Sequence, residues 1–406
     1  MTWLPPLDRL TQAQSASVTA ETNRPLIISG GPGSGKTVVL LHRAKRLGLA
    51  SGHPSKVALL VYTNVLRDFI RSATHELGLS EETVLTFDHW CRLRYVELVG
   101  PPPVDKQGHP DFSLIRKGLL ARLSDGKPTP LLDVALVDEG QDLDDECYAL
   151  LRLSARHVTV AFDLKQSLYR ESGESSIRHA LGAPARELDL QATYRACPYV
   201  VDLACEFIAD EDEKEVFRAQ AATTQTERQT PLLYLAADEA DERHRLVEIL
   251  RERLLRNERV AILFPTFAQV GLFADFLRAQ GILADRQPQT DLQGRRTPLD
   301  FASGRPAVLT YHSAKGLTFD SVLMPGVTRS AIRARHSSAR RMLFVAITRA
   351  THWVYVSALA RECNESMHAA MKALQTRRRA LLQTKADLPR KSAPLSPPPR
   401  SDWTDI

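Results

Sequence analysis

The chain has 406 residues, 43% of them hydrophobic and 25% charged, with a formal net charge of +5. This length exceeds one typical domain, and the composition excludes low-complexity and fibrous classes. No run of about 18 or more uncharged apolar residues occurs, which argues against a membrane span, and the mild positive charge permits a polyanionic partner without requiring one.

In chain order, an apolar strand pattern at 25–29 leads into Gly30-Gly31-Pro32-Gly33-Ser34-Gly35-Lys36-Thr37, and a helical pattern follows over 38–47. This is the G-x-x-x-x-G-K-[ST] phosphate loop in its proper strand–loop–helix setting. The glycines let backbone N–H groups converge on an anion, and the helix N-terminus adds partial positive charge. Lys36 is expected to reach the β- and γ-phosphates of a nucleoside triphosphate, and the Thr37 hydroxyl to ligate Mg2+.

Further strand patterns at 57–62, 84–86, 135–138 and 158–163 alternate with helical ones. A second series lies at 231–235, 260–265, 307–311, 321–325 and 353–357, with helical patterns at 199–208, 241–256 and 269–280. Alternation of this kind predicts an α/β fold with parallel sheets. We expect two consecutive P-loop-type domains, 1–190 and 191–360, joined near 190–198. Polar loops are expected at 100–110 and 286–305. A basic C-terminal helix bearing Arg377, Arg378 and Arg379 is expected over 361–385, and a disordered Pro/Ser-rich tail over 386–406.

A second phosphate-chemistry pattern runs from Asp133 to Leu143. An apolar strand ends in Asp138 and Glu139, followed by Gly140, Gln141 and Asp142. An acid at a strand's C-terminal end can hold Mg2+, often through water. A second acid beside it is placed to orient or deprotonate an attacking water. With the phosphate loop upstream, hydrolysis of the nucleotide is the natural reading.

The run Asp138-Glu139-Gly140-Gln141-Asp142 resembles that of the superfamily 1A DNA helicases of the UvrD/Rep/PcrA type, and further segments resemble that family's motifs in the same order. Leu10-Thr11-Gln12-Ala13-Gln14 looks like the Q motif, which implies that Gln14 reads the adenine edge of ATP. Tyr62-Thr63-Asn64 resembles motif Ia, and Thr86-Phe87-Asp88-His89-Trp90 resembles motif Ib. Residues 162–169, with Gln166 and Tyr169, look like motif III, and Thr193-Tyr194-Arg195 like motif IV. Residues 310–317, with His312, Lys315 and Gly316, are close to motif V, and 344–350, with Arg349, to motif VI.

The resemblance implies two RecA-like domains with ATP in the cleft between them. Gly30, Gly31, Gly33, Ser34, Gly35, Lys36, Thr37, Tyr194 and Gly316 would join Gln14 around the nucleotide. Lys36, Asp138, Glu139, Gln166, Arg195 and Arg349 would be catalytic. Thr63, Asn64, Phe87, His89, Trp90, Tyr169 and His312 would line a single-stranded DNA track, with a duplex junction as an extension of it. Several positions depart from the family pattern. The two accessory insertions are nearly absent, Glu171 stands where an aromatic normally follows motif III, Thr318 replaces a glutamate in motif V, Ser338 and Ala339 replace paired acids before motif VI, and Val38 replaces an arginine. These changes spare the γ-phosphate ligands and thin the DNA-facing shell.

The expected function is a DNA-dependent ATPase acting as a 3′–5′ single-stranded DNA translocase or helicase in DNA repair or related processing. The alternative is a nucleic-acid-stimulated ATPase sensor or subunit beside a protein partner, for example a nuclease in phage defence. Arg377, Arg378 and Arg379 offer phosphate affinity, a solvated helix face or a partner-docking peptide. The N-terminus has no secretion-signal pattern. The cysteines Cys91, Cys147, Cys197, Cys205 and Cys363 lack C-x-x-C spacing. A cytoplasmic location without a zinc site, disulfides or membrane partner is expected, and the oligomeric state is left open.

Overall fold

The computed structural model describes residues 4–31, 33–53, 56–125, 130–163, 174–182, 184–190, 196–221, 227–288, 298–301, 303–329 and 336–388. Among the described residues thirteen strands form two sheets, and every pairing within them is parallel. The first sheet holds β1 (Leu26–Ser29), β2 (Val57–Val61), β3 (Val84–Thr86), β4 (Leu132–Val137), β5 (Ala155–Phe162) and β6 (Arg186–Asp189), in the order β3-β2-β4-β5-β1-β6. The second holds β7 (Leu232–Ala236), β8 (Val260–Phe264), β9 (Asp285–Arg286), β10 (Ala307–Thr310), β11 (Phe319–Met324), β12 (Ala350–Leu359) and β13 (Leu381–Thr384), in the order β13-β7-β12-β11-β8-β10-β9. Strands β2 and β8 are buried at every residue, as continuous apolar runs must be when helices cover both faces of a parallel sheet.

The helices around the first sheet are α1 (Gln12–Thr19), α2 (Lys36–Ser51), α3 (Asn64–Arg71), α4 (Thr74–Leu77), α5 (Phe87–Leu98), α6 (Phe112–Ser124), α7 (Asp145–Ser154) and α8 (Glu174–Ala180). Around the second lie α9 (Pro198–Cys205), α10 (Glu211–Ala221), α11 (Glu239–Leu255), α12 (Phe267–Ala279), α13 (His336–Ile347) and α14 (Glu365–Thr376). Their starts follow local chemistry. Thr63, Thr86, Asp111 and Asp144 each accept a backbone N–H from the first turn of the helix that follows, which satisfies donors the helix itself leaves over.

One apolar cluster runs through both domains, including Leu26 and Val39 from the first and Leu233 and Val322 from the second. The outer faces have their own clusters, under α5, α6 and α7 on the first sheet and under α11 and α12 on the second.

The C-terminal expectation is corrected. The basic helix does not run over 361–385. Its buried face ends with Met371 and Leu374, and α14 stops at Thr376. Arg378 takes a left-handed φ of 57°, which turns the chain, and Leu381–Thr384 then pairs with β7 as an edge strand. Arg379 is held by Asp202 at 2.8 Å, so it is not part of a solvated helix face. Residues 385–387 form a 3-10 turn and Leu388 packs on the second domain's outer core. Of the tail, 389–406 lies outside the described residues. No helix among the described residues is long and apolar enough to cross a membrane.

Candidate nucleotide site and nucleic-acid face

Strand β1 delivers the chain to the phosphate loop, and Gly35, with φ +86°, caps α2 in a left-handed conformation. The left-handed φ favours glycine, and a Cβ there, 2.4 Å from Gln14 Nε2, would displace the Gln14 amide. Lys36 is buried at 8% exposure, and its ammonium donates to Gly30 O at 2.8 Å and Gly31 O at 3.0 Å. It makes no ion pair among the described residues, and Ser34 Oγ is buried without a hydrogen-bond partner. A buried cation over a loop with an orphaned hydroxyl fits a phosphate group.

Gln14 sits against this loop. Its Oε1 accepts from Thr11 N at 2.9 Å, and its Nε2 donates to Ser34 O at 2.9 Å. The side chain therefore ties α1 to the loop, and one amide hydrogen remains for a base.

Strand β4 ends at Val137 and presents Asp138 and Glu139. Thr37 Oγ1 donates to Asp138 Oδ2 at 2.6 Å. A hydroxyl and a carboxylate oxygen at this spacing are the hard donor set that Mg2+ takes. Burial, then the neighbouring charge of Glu139, pushes the Asp138 carboxyl above the usual range. Burial acts the same way on Glu139, but the charges of Lys315, Lys36 and Arg349 outweigh it and hold that carboxyl low. Glu139 has a left-handed backbone, φ 53°, an uncommon strain for a non-glycine residue. Gln141 Nε2 donates to Glu139 Oε2, while its Oε1 accepts from Asp163 N at 3.3 Å. It thus links the acidic turn to the end of β5.

The second sheet reaches this turn. Lys315 Nζ lies 2.5 Å from Asp142 Oδ1 and 3.9 Å from Glu139 Oε2. Gly316, with φ +80°, passes so close that an added Cβ would stand 3.0 Å from Leu66 and 3.4 Å from Glu139 Oε1. A cavity of about 1110 Å³ lies between the sheets. Its walls include Gln14, Gly33, Lys36 and Glu139 on one side and Gly316 and Arg349 on the other. Arg349 is 3% exposed and donates to Val345 O at 3.0 Å, Leu317 O at 3.3 Å and Thr348 Oγ1 at 3.1 Å. Its own domain therefore fixes the guanidinium at the wall of the shared cavity. Gln166, Tyr169, Tyr194 and Arg195 lie outside the described residues.

The strand-contact set divides. Phe87 and Trp90, at 3% and 2% exposure, sit in the core under α5 with ring centroids 6.0 Å apart. Spaced three apart on one helix, they share its inward face, so neither can offer a ring to a base. Thr63 caps α3 by accepting from Leu66 N at 3.1 Å, and Asn64 opens that helix. Half-buried His89 lies near Arg67, Arg92 and Arg71; burial first, then those charges, lowers its pKa. His312 is exposed and meets Tyr62 edge-on, centroids 6.2 Å apart. Tyr62 follows β2 and is 46% exposed, an accessible aromatic in the motif Ia segment that the expected strand contacts left out. Gln141, Asp142 and Lys315 were also missed as site residues. Their signal was present, as polar side chains within quoted motifs, but the cross-sheet pairing leaves no trace in spacing.

A P-loop after β1 and an acidic pair after β4, facing a second parallel sheet across a shared cavity, define a two-domain P-loop nucleotide-binding protein. The sequence matches the AAA domain over residues 13–171 and the UvrD-like helicase C-terminal domain over residues 307–357. It is 23% identical over 240 residues to "Putative ATP-dependent DNA helicase R568" of Acanthamoeba polyphaga mimivirus, covering 54% of this chain and 33% of that protein. The match thus spans about a third of the relative's length. A solved structure described as the C-terminal domain of a possible DNA helicase from Lactobacillus plantarum WCFS1 aligns at 17% identity and a TM-score of 0.34, over 48% of this chain and 99% of that one. The two models match separate parts of the chain: the AAA match takes in the phosphate loop and the acidic pair, and the match to the UvrD-like helicase C-terminal domain takes in Lys315, Gly316 and Arg349.

Proposed function

We propose that the chain hydrolyses ATP in the cleft between its two sheets, is stimulated by single-stranded DNA, and uses domain closure to step along that strand 3′ to 5′. The observation carrying this reading is Lys315, a residue of the second sheet's loop, held 3.9 Å from Glu139 and 2.5 Å from Asp142 on the first. It makes the geometry of the water-orienting acid depend on the position of the other domain. The units are 1–190 and a second one that continues through β13.

Lys36 and the loop N–H groups bind the β- and γ-phosphates. Thr37 and Asp138 would hold Mg2+, which neutralises phosphate charge when bound. Glu139 accepts a proton from the water that attacks the γ-phosphorus, the bond to the bridging oxygen breaks, and ADP and phosphate leave. Arg349, with Arg195 by the family resemblance, offsets the negative charge that spreads over the transferred group. Tyr62, Thr63, Asn64, His89 and His312, of which Tyr62 and His312 meet edge-on, would hold the strand through stacking and phosphate contacts.

The test is steady-state ATPase with and without single-stranded DNA. Stimulation is expected in the wild type and collapse in Lys36→Ala and Glu139→Gln. Equal turnover in wild type and Glu139→Gln would sink the catalytic assignment. Displacement of streptavidin from the 5′ end but not the 3′ end of an oligonucleotide checks the direction.

A second reading has its own support. Among the described residues only α5 and α6 stand between β3 and β4, and two expected base contacts are core residues. A chain with so little apparatus for duplex would serve as a DNA-stimulated sensor or subunit, in cytoplasmic repair or phage defence beside a partner such as a nuclease. Robust unwinding of a forked duplex by the isolated chain would reject it.

A further inference from the structure

The described part of the connection between β9 and β10, residues 298–301 and 303–306, meets the first domain. Its base is fixed to its own domain: Ser303 Oγ donates to Asp285 Oδ2 at 2.7 Å, and Arg305 pairs with Asp285 at 3.6 Å. Its outer part is held by α3 of the other domain. Leu299 N donates to Asp68 Oδ2 at 3.2 Å. The Phe301 ring meets Phe69 edge-on, with centroids 5.3 Å apart and planes at 84°. Leu299 is 8% exposed within the apolar cluster common to both domains. Asp68 is 4% exposed and oriented by Arg67 at 3.0 Å. Leu299, Phe301 and Arg305 line the same cavity as Lys36 and Thr37.

We propose that this strap is a latch on nucleotide release, with Asp68 and Phe301 as its positioning residues. Opening the cleft separates α3 from a segment anchored at β9. That movement removes the backbone donor from a buried carboxylate and exposes Leu299 and Phe301 to water in the same step. The two contacts therefore break together, and product ADP leaves when they do. The latch rests on the nucleotide reading of the cleft. It assigns a role to residues 299–301, which the phosphate chemistry does not use.

The experiment is stopped-flow release of N-methylanthraniloyl-ADP from the full chain, chased with unlabelled ATP. Asp68→Ala and Phe301→Ala are expected to release it about tenfold faster, on the scale of one lost hydrogen bond to a charged group. The KM for ATP should rise while kcat holds or increases. The double variant should gain less than the product of the two single effects, because both break one latch. Asp68→Asn keeps an oxygen for Leu299 N and is expected to restore wild-type release, which a merely structural loss would not. Phe301→Leu, which keeps apolar volume without the ring contact, replaces Phe301→Ala if that variant does not fold. Alanine variants that melt like wild type yet release within about twofold of it would overturn the latch, as would fully multiplicative effects. Failure of wild type to bind the labelled ADP would overturn the nucleotide reading itself, and the latch with it.

Discussion

Lys315→Met keeps the side chain's length and deletes its charge. Lys315 and Glu139 are 8% and 9% exposed at their side chains, and Asp142 is 15% exposed. Removing one partner of a fully buried ion pair costs about 3–5 kcal/mol, because the stranded charge stays out of water. Here Glu139 borders the cavity and Asp142 is partly exposed, so about half of that, ~2 kcal/mol, is the expected loss. The pair joins two domains, so the loss falls on their contact and leaves each fold intact. A shift of ~2 kcal/mol lowers the closed-to-open ratio about thirtyfold.

The assay is energy transfer between dyes on the two domains, read with ATPase and thermal melting of the same samples. Transfer and turnover should fall while the melting profile stays near that of wild type. Lys315→Met/Asp142→Asn should regain part of the closure, since it leaves one stranded carboxylate fewer. Single-variant transfer and ATPase within about twofold of wild type would refute the argument.

Gly35→Ala must accommodate a Cβ 2.4 Å from Gln14 Nε2 at φ +86°. Backbone strain of about 1–2 kcal/mol, plus loss of the Gln14–Ser34 bond, should weaken nucleotide binding at least about tenfold by calorimetry without unfolding the chain. Trp90→Ala should lower stability by about 3–5 kcal/mol in urea, whereas Tyr62→Ala should leave stability unchanged and weaken single-stranded DNA binding by about 1–3 kcal/mol. The reverse pattern would return Trp90 to the DNA face. His352 Nδ1 lies 3.5 Å from Asp320 Oδ1. Its hydrogen bond to Asp320 raises the His352 pKa, against the effect of burial. A raised histidine pKa stabilises fully below the ordinary histidine value, and that stabilisation is lost as pH rises through the folded one. Asp320 is held low despite burial, by His352 and Arg259, so its contribution persists until strongly acid pH. The melting temperature should therefore gain a small increment at about pH 5.5 relative to about pH 8.5, and His352→Gln should remove it. Equal pH dependence in both proteins would discard the pair as a contributor.

Much of the site was legible because its rules are local. Gly33, Gly35, Lys36 and Thr37 act within one turn, and Asp138 and Glu139 simply end a strand. The buried strands were legible for a related reason, since β2 and β8 are continuous apolar runs. Edge strand β3 was read, but β6, β9 and β13 were not. β6 exposes alternate residues, and β13 follows an arginine cluster that breaks a helix. Phe87 and Trp90 were misread because an aromatic in a DNA-track motif and an aromatic in a core have the same letter, and only the packing of α5 on the sheet separates them.

What the sequence determined by itself is therefore a chemistry and a class. It contains a phosphate loop, an acidic pair downstream and two series of parallel strands, each written in contiguous residues whose backbone geometry and side-chain types suffice. The tertiary structure decided what those parts touch. Lys315 meets an acid 173 positions away, and Leu299 meets Asp68 across 231. Such partners depend on how the two sheets stack over a shared core and cavity, and no local pattern carries that arrangement.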